Sequence, residues 1–324
     1  MNRALTIVLV LGACASPEAG RPAAPDATPD ASAAAIDAAA AFPAPLLDEC
    51  ITSGAAGEHT FACGGLTYEV SVPAACLTHA CGMIIDVHGY TMSGHQQDNN
   101  TRMRALGRDR GYIVVQPNAD PAPPRSDWTE LDDDDVLAFA ERVAAAFHID
   151  PLRWYFTGFS QGGFMSWRFV CKYADKFAAI APLAGCAYGA VNACALDQTI
   201  DLPGETHILY AHGTRDTIVN GGCIGPQRDA VLAAYELGSP DVLSQDSNHT
   251  WTRWTNARGT SFELIEHQYA SANGLILGHC FPGSADPGTE PGQVASFACT
   301  GPTAFDWGTV AVDFFDAHVR ATPE

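Results

Sequence analysis

Basic residues are scarce in this chain: Lys and Arg number 17 against 37 Asp and Glu, a formal net charge of -20 over 324 residues. A surface of that sign repels the phosphates of nucleic acid and of anionic lipids, so neither is expected as a partner. Long apolar runs are missing too. The run at 4–13 is too short to cross a bilayer as a mature helix, and no later segment approaches the roughly twenty apolar residues that a span needs. Neither a CxxC pair nor an HExxH stretch occurs, so the spacings that most often hold zinc are absent and no metal is expected. There is no internal repeat, no Ser/Thr-rich linker and no recognisable module for gripping an insoluble polymer.

What is present begins with an export signal. One Arg precedes the apolar run, which ends in Leu11-Gly12-Ala13-Cys14. Small residues leading into a cysteine fit a lipoprotein-type signal at 1–13, with Cys14 lipidated as the first mature residue; an ordinary signal cleaved nearby is the alternative. Contact with a membrane is then expected only through that anchor. Residues 14–47 are mostly Ala, Pro, Asp and Ser and bury too little apolar surface to order themselves, so they read as a disordered tether. Residues 48–324 suit one large domain, expected outside the cytoplasm, secreted or anchored at a bacterial outer membrane, and as a monomer.

Setting Cys14 aside, ten of the eleven cysteines remain, an even number in an oxidising compartment. Short loops suggest Cys50 with Cys63, Cys76 with Cys81, Cys186 with Cys194 and Cys280 with Cys299. Cys171 and Cys223 would then pair, or Cys171 would stay a buried thiol.

Strands are expected at 66–72, 83–87, 112–116 (stopped by Pro117), 154–157, 177–183, 207–211 and 262–267. Helices are expected near 100–110, 132–147, 161–173, 227–237 and 306–319. Alternation of this kind implies an α/β fold, a mostly parallel central sheet with helices on both faces. The acids at 132–135 open a helix and suit its positive end better than a calcium site.

Between a buried strand and the helix at 161 lies Gly158-Phe159-Ser160-Gln161-Gly162. A GxSxG turn in that context exposes a serine oxygen beside a helix N-terminus, which makes Ser160 the candidate nucleophile. Serine is a weak nucleophile and needs a histidine base oriented by a carboxylate. On such a scaffold the acid and then the base follow the serine along the chain. Asp216 lies just past the strand at 207–211, whereas Asp197 and Asp201 precede it; His212 reads as a residue closing the strand. His279 occupies the last loop before the final helix and is chosen over His249, in a polar loop, and over His267 and His318. Oxyanion donors are expected from the N–H of Gln161 and from the turn at 88–91, where Tyr90 is chosen over Thr91.

Several segments together resemble the polyhydroxybutyrate depolymerase, feruloyl esterase and acetyl xylan esterase group of secreted α/β-hydrolases. They are DVHGYTMSG (86–94), RDRGYIVVQPNA (108–119), the stretch 134–185, HGTRD (212–216) and GHCFPG (278–283). The resemblance implies an α/β-hydrolase fold, the triad Ser160, Asp216 and His279, no cofactor, and a small-molecule or polymeric ester as substrate. It marks Trp128 as a wall of the acyl pocket. Where the family has Trp two residues after the histidine, this chain has Phe281, so a substrate cleft of different shape, with Phe281 among its residues, is expected. The rival from another class is a surface lipoprotein that keeps the scaffold for binding without catalysis.

Overall fold

The computed structural model describes residues 41–186 and 205–320. The export signal, Cys14, most of the tether, Cys194, Asp197 and Asp201 lie outside the described residues.

Ten strands form one sheet in the order β1-β2-β4-β3-β5-β6-β7-β10-β9-β8. They are β1 (Gly57–Cys63), β2 (Leu66–Val72), β3 (Gly82–Val87), β4 (Tyr112–Asn118), β5 (Trp154–Phe159), β6 (Ala179–Leu183), β7 (His207–Gly213), β8 (Asp241–Gln245), β9 (His249–Thr255) and β10 (Ser261–His267). The helices are α1 (Gly94–Thr101), α2 (Met103–Arg110), α3 (Asp132–Phe147), α4 (Gln161–Tyr173), α5 (Ile224–Ala234) and α6 (Trp307–Ala317). The central run from β4 to β10 is parallel, flanked by the antiparallel β1 and β2 at one edge and β9 and β8 at the other.

The central strands carry short apolar runs, such as Met83–Ile85 and Tyr112–Val115, because both faces are covered. On one face Met83, Ile85, Phe156, Ile180 and Ile208 pack with Phe139 and Val143 of α3 and Met165 and Phe169 of α4. On the other Ile84, Val114, Tyr155, Ala181 and Leu209 pack with Val312 and Phe315 of α6. The switch from Ile84 to Ile85 is the period of two expected of a strand.

Three expectations need correction. The helix near 100–110 is two helices, α1 and α2, broken at Arg102, which takes a left-handed conformation with φ 55°. Strand β4 runs through Pro117, which is paired with Tyr68; β3 pairs with it only as far as Val115, so beyond that point β4 has a neighbour on one side only, where a residue without an N–H is tolerated. Cys186 is bonded to Cys223 and not to Cys194, and Cys171 is itself in a disulfide. The bridges Cys50–Cys63, Cys76–Cys81 and Cys280–Cys299 are as expected.

The acidic run at the start of α3 is spoken for by separate partners. Asp132 accepts from Thr129, Asp134 from the Tyr173 hydroxyl, and Asp133 takes the Arg168 guanidinium in a two-pronged contact at 2.7 to 3.0 Å with Lys172 at 2.9 Å. Asp133 and Arg168 are both buried, so this pair fixes α3 against α4.

Candidate active site

Parallel strands end on one edge of the sheet, and the candidate residues lie on the loops there. Ser160 follows β5 and precedes α4, with φ 55° and ψ -112°. A residue with a side chain held at positive φ is strained, and here close packing imposes it. A Cβ on Gly162 would lie 2.1 Å from Val87 O, and one on Gly158 2.5 Å from the Gly162 backbone, so only glycine fits at either side of the serine. The Ser160 N–H donates to Leu183 O at 2.9 Å, which ties the turn to β6.

The acid and the base come from loops far apart in sequence. Asp216 Oδ2 accepts from His279 Nδ1 at 2.7 Å, and both side chains are buried. Oδ1 accepts from the N–H groups of Ile218 and Val219, each at 2.8 Å. Gly213 and Gly278 let the two loops meet: a Cβ on Gly213 would lie 2.3 Å from Gly278 O. Burial alone would raise the Asp216 carboxyl, but the N–H donors of His212 and His279 outweigh it and hold the acid well below the ordinary carboxylate range. Because Nδ1 of His279 is spent on Asp216, Nε2 is the nitrogen left to act as a base. Its ring lies 4.6 Å from that of Phe159, the residue before Ser160. Among the described residues no hydrogen bond joins Ser160 to His279, a contact that often closes only with substrate in place.

Among the described residues, none of the other candidate histidines, His249, His267 and His318, makes a hydrogen bond to Asp216. His249 opens β9, and does not lie in a loop; it contacts Ser244 Oγ at 2.9 Å and Asp246 at 3.0 Å. His267 is buried within β10, and His318, just past α6, contacts Ser261 Oγ at 3.1 Å and donates Nδ1–H to Phe314 O at 2.7 Å.

The turn after β3 packs directly on the serine, since a Cβ on Gly89 would lie 3.1 Å from Ser160 Cβ. Thr91 donates its N–H to Ser126 O at 3.0 Å and Met92 donates to Gly89 O at 3.2 Å, whereas the Tyr90 N–H between Gly89 and Thr91 makes no backbone hydrogen bond among the described residues. Gln161 is the first residue of α4, so its N–H has no acceptor within the helix. Trp128 is buried behind this turn: its indole N–H donates to His88 O at 3.0 Å and its ring lies 4.9 Å from that of His88. Its backbone N–H donates to Gln161 Oε1 at 3.0 Å, and Gln161 Nε2 donates to Asp127 at 2.6 Å. Phe281 is fully buried, with its ring 4.1 Å from that of Phe159 at a 33° tilt, so it touches this site through Phe159 and exposes no surface of its own.

Nothing in residue spacing pointed to the Gln161 side chain, Ser126 or Asp127, because these contacts join loops that only the folded sheet brings together. Asp86 is a second unforeseen feature. It is buried on β3, which pushes its carboxyl up to about 6 despite donors from Gln116, Gln97 and Thr101. Cys186, His212 and Cys223 gather within 4.8 Å, yet the two sulfurs are bonded to each other and both His212 nitrogens have protein partners, so this is not a set of metal ligands as it stands.

Among solved structures, an acetyl xylan esterase from Aspergillus awamori superposes with a TM-score of 0.52 at 13% identity, over 62% of this chain and 87% of that one. This chain has the α/β-hydrolase fold. Within that fold, residues 98–195 match the model of the prolyl oligopeptidase family. Over longer stretches the chain is similar to curated proteins: 27% identical over 261 residues to poly(3-hydroxyalkanoate) depolymerase C of Paucimonas lemoignei, covering 71% of this chain and 61% of that protein. It is 30% identical over 194 residues to feruloyl esterase B of Piromyces equi, covering 57% of this chain and 34% of that protein. A bifunctional acetylxylan esterase/xylanase of Neocallimastix patriciarum is 27% identical over 140 residues, 43% of this chain and 20% of that protein. The α/β-hydrolase chain thus spans between a fifth and about three-fifths of these relatives.

Proposed function

We propose that this α/β-hydrolase is an extracytoplasmic carboxylic ester hydrolase working through an acyl-enzyme on Ser160. The observation that carries the reading is the buried Asp216–His279 hydrogen bond at 2.7 Å, beside a serine held at φ 55° between strand and helix. In this scheme His279 Nε2 takes the Ser160 proton as Oγ adds to the ester carbonyl, and the oxyanion is received by the N–H groups of Tyr90 and Gln161. The leaving alcohol then departs with the proton from His279. Water, losing a proton to His279, adds to the acyl-enzyme, and collapse releases the acid and restores Ser160.

For substrate, the reading is short hydroxyalkanoate esters or oligomers, supported by the breadth of the match to the depolymerase from Paucimonas lemoignei. Export, with Cys14 as lipid anchor, is supported by the N-terminal pattern and by the four disulfides described in full.

A fluorophosphonate probe tests the chemistry: wild-type protein is expected to label at Ser160 and Ser160→Ala not to label. An unlabelled wild type retires the enzyme reading in favour of a binding lipoprotein. Turnover of 3-hydroxybutyrate oligomers, methyl ferulate and acetylated xylan by one preparation ranks the substrates, with the oligomers expected first. Radiolabelled palmitate incorporation that vanishes in Cys14→Ala tests the anchor.

A further inference from the structure

His212 has no part in the acyl-enzyme scheme, yet it is built against the acid. It is fully buried on β7, four residues before Asp216. Its Nε2 lies 2.9 Å from Val219 O, and since a carbonyl only accepts, the ring proton sits on Nε2. Nδ1, 2.7 Å from Tyr210 OH, then accepts the hydroxyl proton. Tyr210 OH in turn lies 3.7 and 3.9 Å from the sulfurs of the Cys186–Cys223 bridge, which leaves the phenol little room to move.

The consequence is a closed ring of contacts around the carboxylate. His212 Nε2–H donates to Val219 O, Val219 N–H donates to Asp216 Oδ1 at 2.8 Å, and Asp216 Oδ2 lies 3.4 Å from His212 Nε2. Two amides on Oδ1 alone would leave the carboxylate free to pivot about them and swing Oδ2 away from His279. A donor on the far side of Oδ2 opposes that swing.

We propose that His212 is a positioning residue for the acid, holding Asp216 Oδ2 toward His279 through an Nε2–H shared between Val219 O and the carboxylate, with Tyr210 fixing the tautomer. This rests on the triad assigned under the proposed function. Removing the donor makes the carboxylate a stronger base, which stabilises the protonated form of its partner and carries the acidic limb of kcat/KM to higher pH. The titratable groups facing Asp216 are His279, His212 and, on β10, His267; the last is unchanged in every variant below and serves as a constant background.

The test compares His212→Leu, which lacks the donor, with His212→Gln, which carries an N–H close to the place of Nε2. A double variant, His212→Leu with Tyr210→Phe, also removes the hydroxyl whose bond to His212 is lost, so a packing defect is told apart from loss of the donor. Two readouts are taken: the pH profile of kcat and KM on p-nitrophenyl butyrate, and the low-field proton resonance of His279 Nδ1–H. For both Leu variants kcat is expected to fall about 10- to 100-fold with KM within about threefold. The acidic limb should move up by about half a pH unit or more and the resonance should shift, with most of each restored in His212→Gln. Equal losses in Leu and Gln variants, or an unmoved limb and resonance, overturn the proposal. A wild type that is never labelled at Ser160 yet shows a His212-dependent resonance retires the hydrolase and keeps the positioning role; a labelled, active protein whose resonance ignores His212 does the reverse.

Discussion

Replacing Trp128 by Phe deletes one N–H from the support of the oxyanion turn while keeping an aromatic ring in place. In the fold that N–H meets His88 O at 3.0 Å in a buried setting, one residue before Gly89 and two before Tyr90. Leaving a buried carbonyl without its donor costs about 1 to 3 kcal/mol. The turn can recover part of that only by tilting the 88–89 peptide toward water, and this rotates the Tyr90 N–H away from where the oxyanion forms. Complete loss of one such donor lowers kcat about 100- to 1,000-fold, so a partial misalignment is expected to cost about 10- to 50-fold. KM should change little, because the ester in its ground state makes scant use of that donor. Steady-state kinetics on p-nitrophenyl butyrate, normalised by fluorophosphonate titration, and a urea unfolding curve measure the two parts. If kcat stays at the wild-type level while the urea midpoint falls, the indole supports the fold and not the turn. If KM rises sharply with kcat intact, Trp128 lines the acyl pocket, and its role in supporting the turn is wrong.

The remaining predictions concern packing and pH. Asp133→Ala strands the buried Arg168 and should cost about 3 to 5 kcal/mol in urea unfolding, with Asp133→Leu/Arg168→Met recovering much of it; a loss under about 1 kcal/mol in the single variant would contradict a buried pair. Gly162→Ala places a methyl 2.1 Å from Val87 O, so the variant should lose soluble expression or fluorophosphonate labelling, and a labelled, stable variant would show that the elbow can relax. Burial pushes His88 and His207 down to about 4 and His267 to about 3, so they stay neutral in the fold while the unfolded chain takes up protons below about 6.5. Stability should therefore fall as pH drops from 6.5 toward 4, by about 2 to 3 kcal/mol from His88 alone, while Asp86, raised to about 6 by burial, works in the opposite sense over its own window. Urea midpoints that stay flat or rise between pH 6.5 and 4.5 would sink this account.

The parallel core was legible because strands such as β3 and β4 are buried on both faces and therefore carry unbroken apolar runs, Met83–Ile85 and Tyr112–Val115. That Asp216 and His279 would meet was legible because such a scaffold lays out the loops after its strands in sequence. Helix α1 escaped notice for a physical reason: its buried side chains are Gln96, Gln97, Asn100 and Thr101, which hydrogen-bond Ser93, Asp86 and Asp286, so no apolar stripe marks it. Strand β8 escaped too, being exposed at every position on the sheet edge, and His249 looked like part of a loop because β9 beside it carries three threonines. The pairing of Cys186 with Cys223 was closed to sequence reasoning, since loop length favours a near neighbour and only the placement of β7 brings the distant one close.

The backbone contact between Gly213 and Gly278 makes the intervening chain an excursion that departs from and returns to a single point. Through α5, β8 and β9 it can be lengthened, trimmed or exchanged without altering the spacing of acid and base. Acid and base are thereby pinned at the junction, while the chain beyond it is free to diverge. Grafting the 238–259 segment of a related esterase onto this frame is the engineering step that the junction permits.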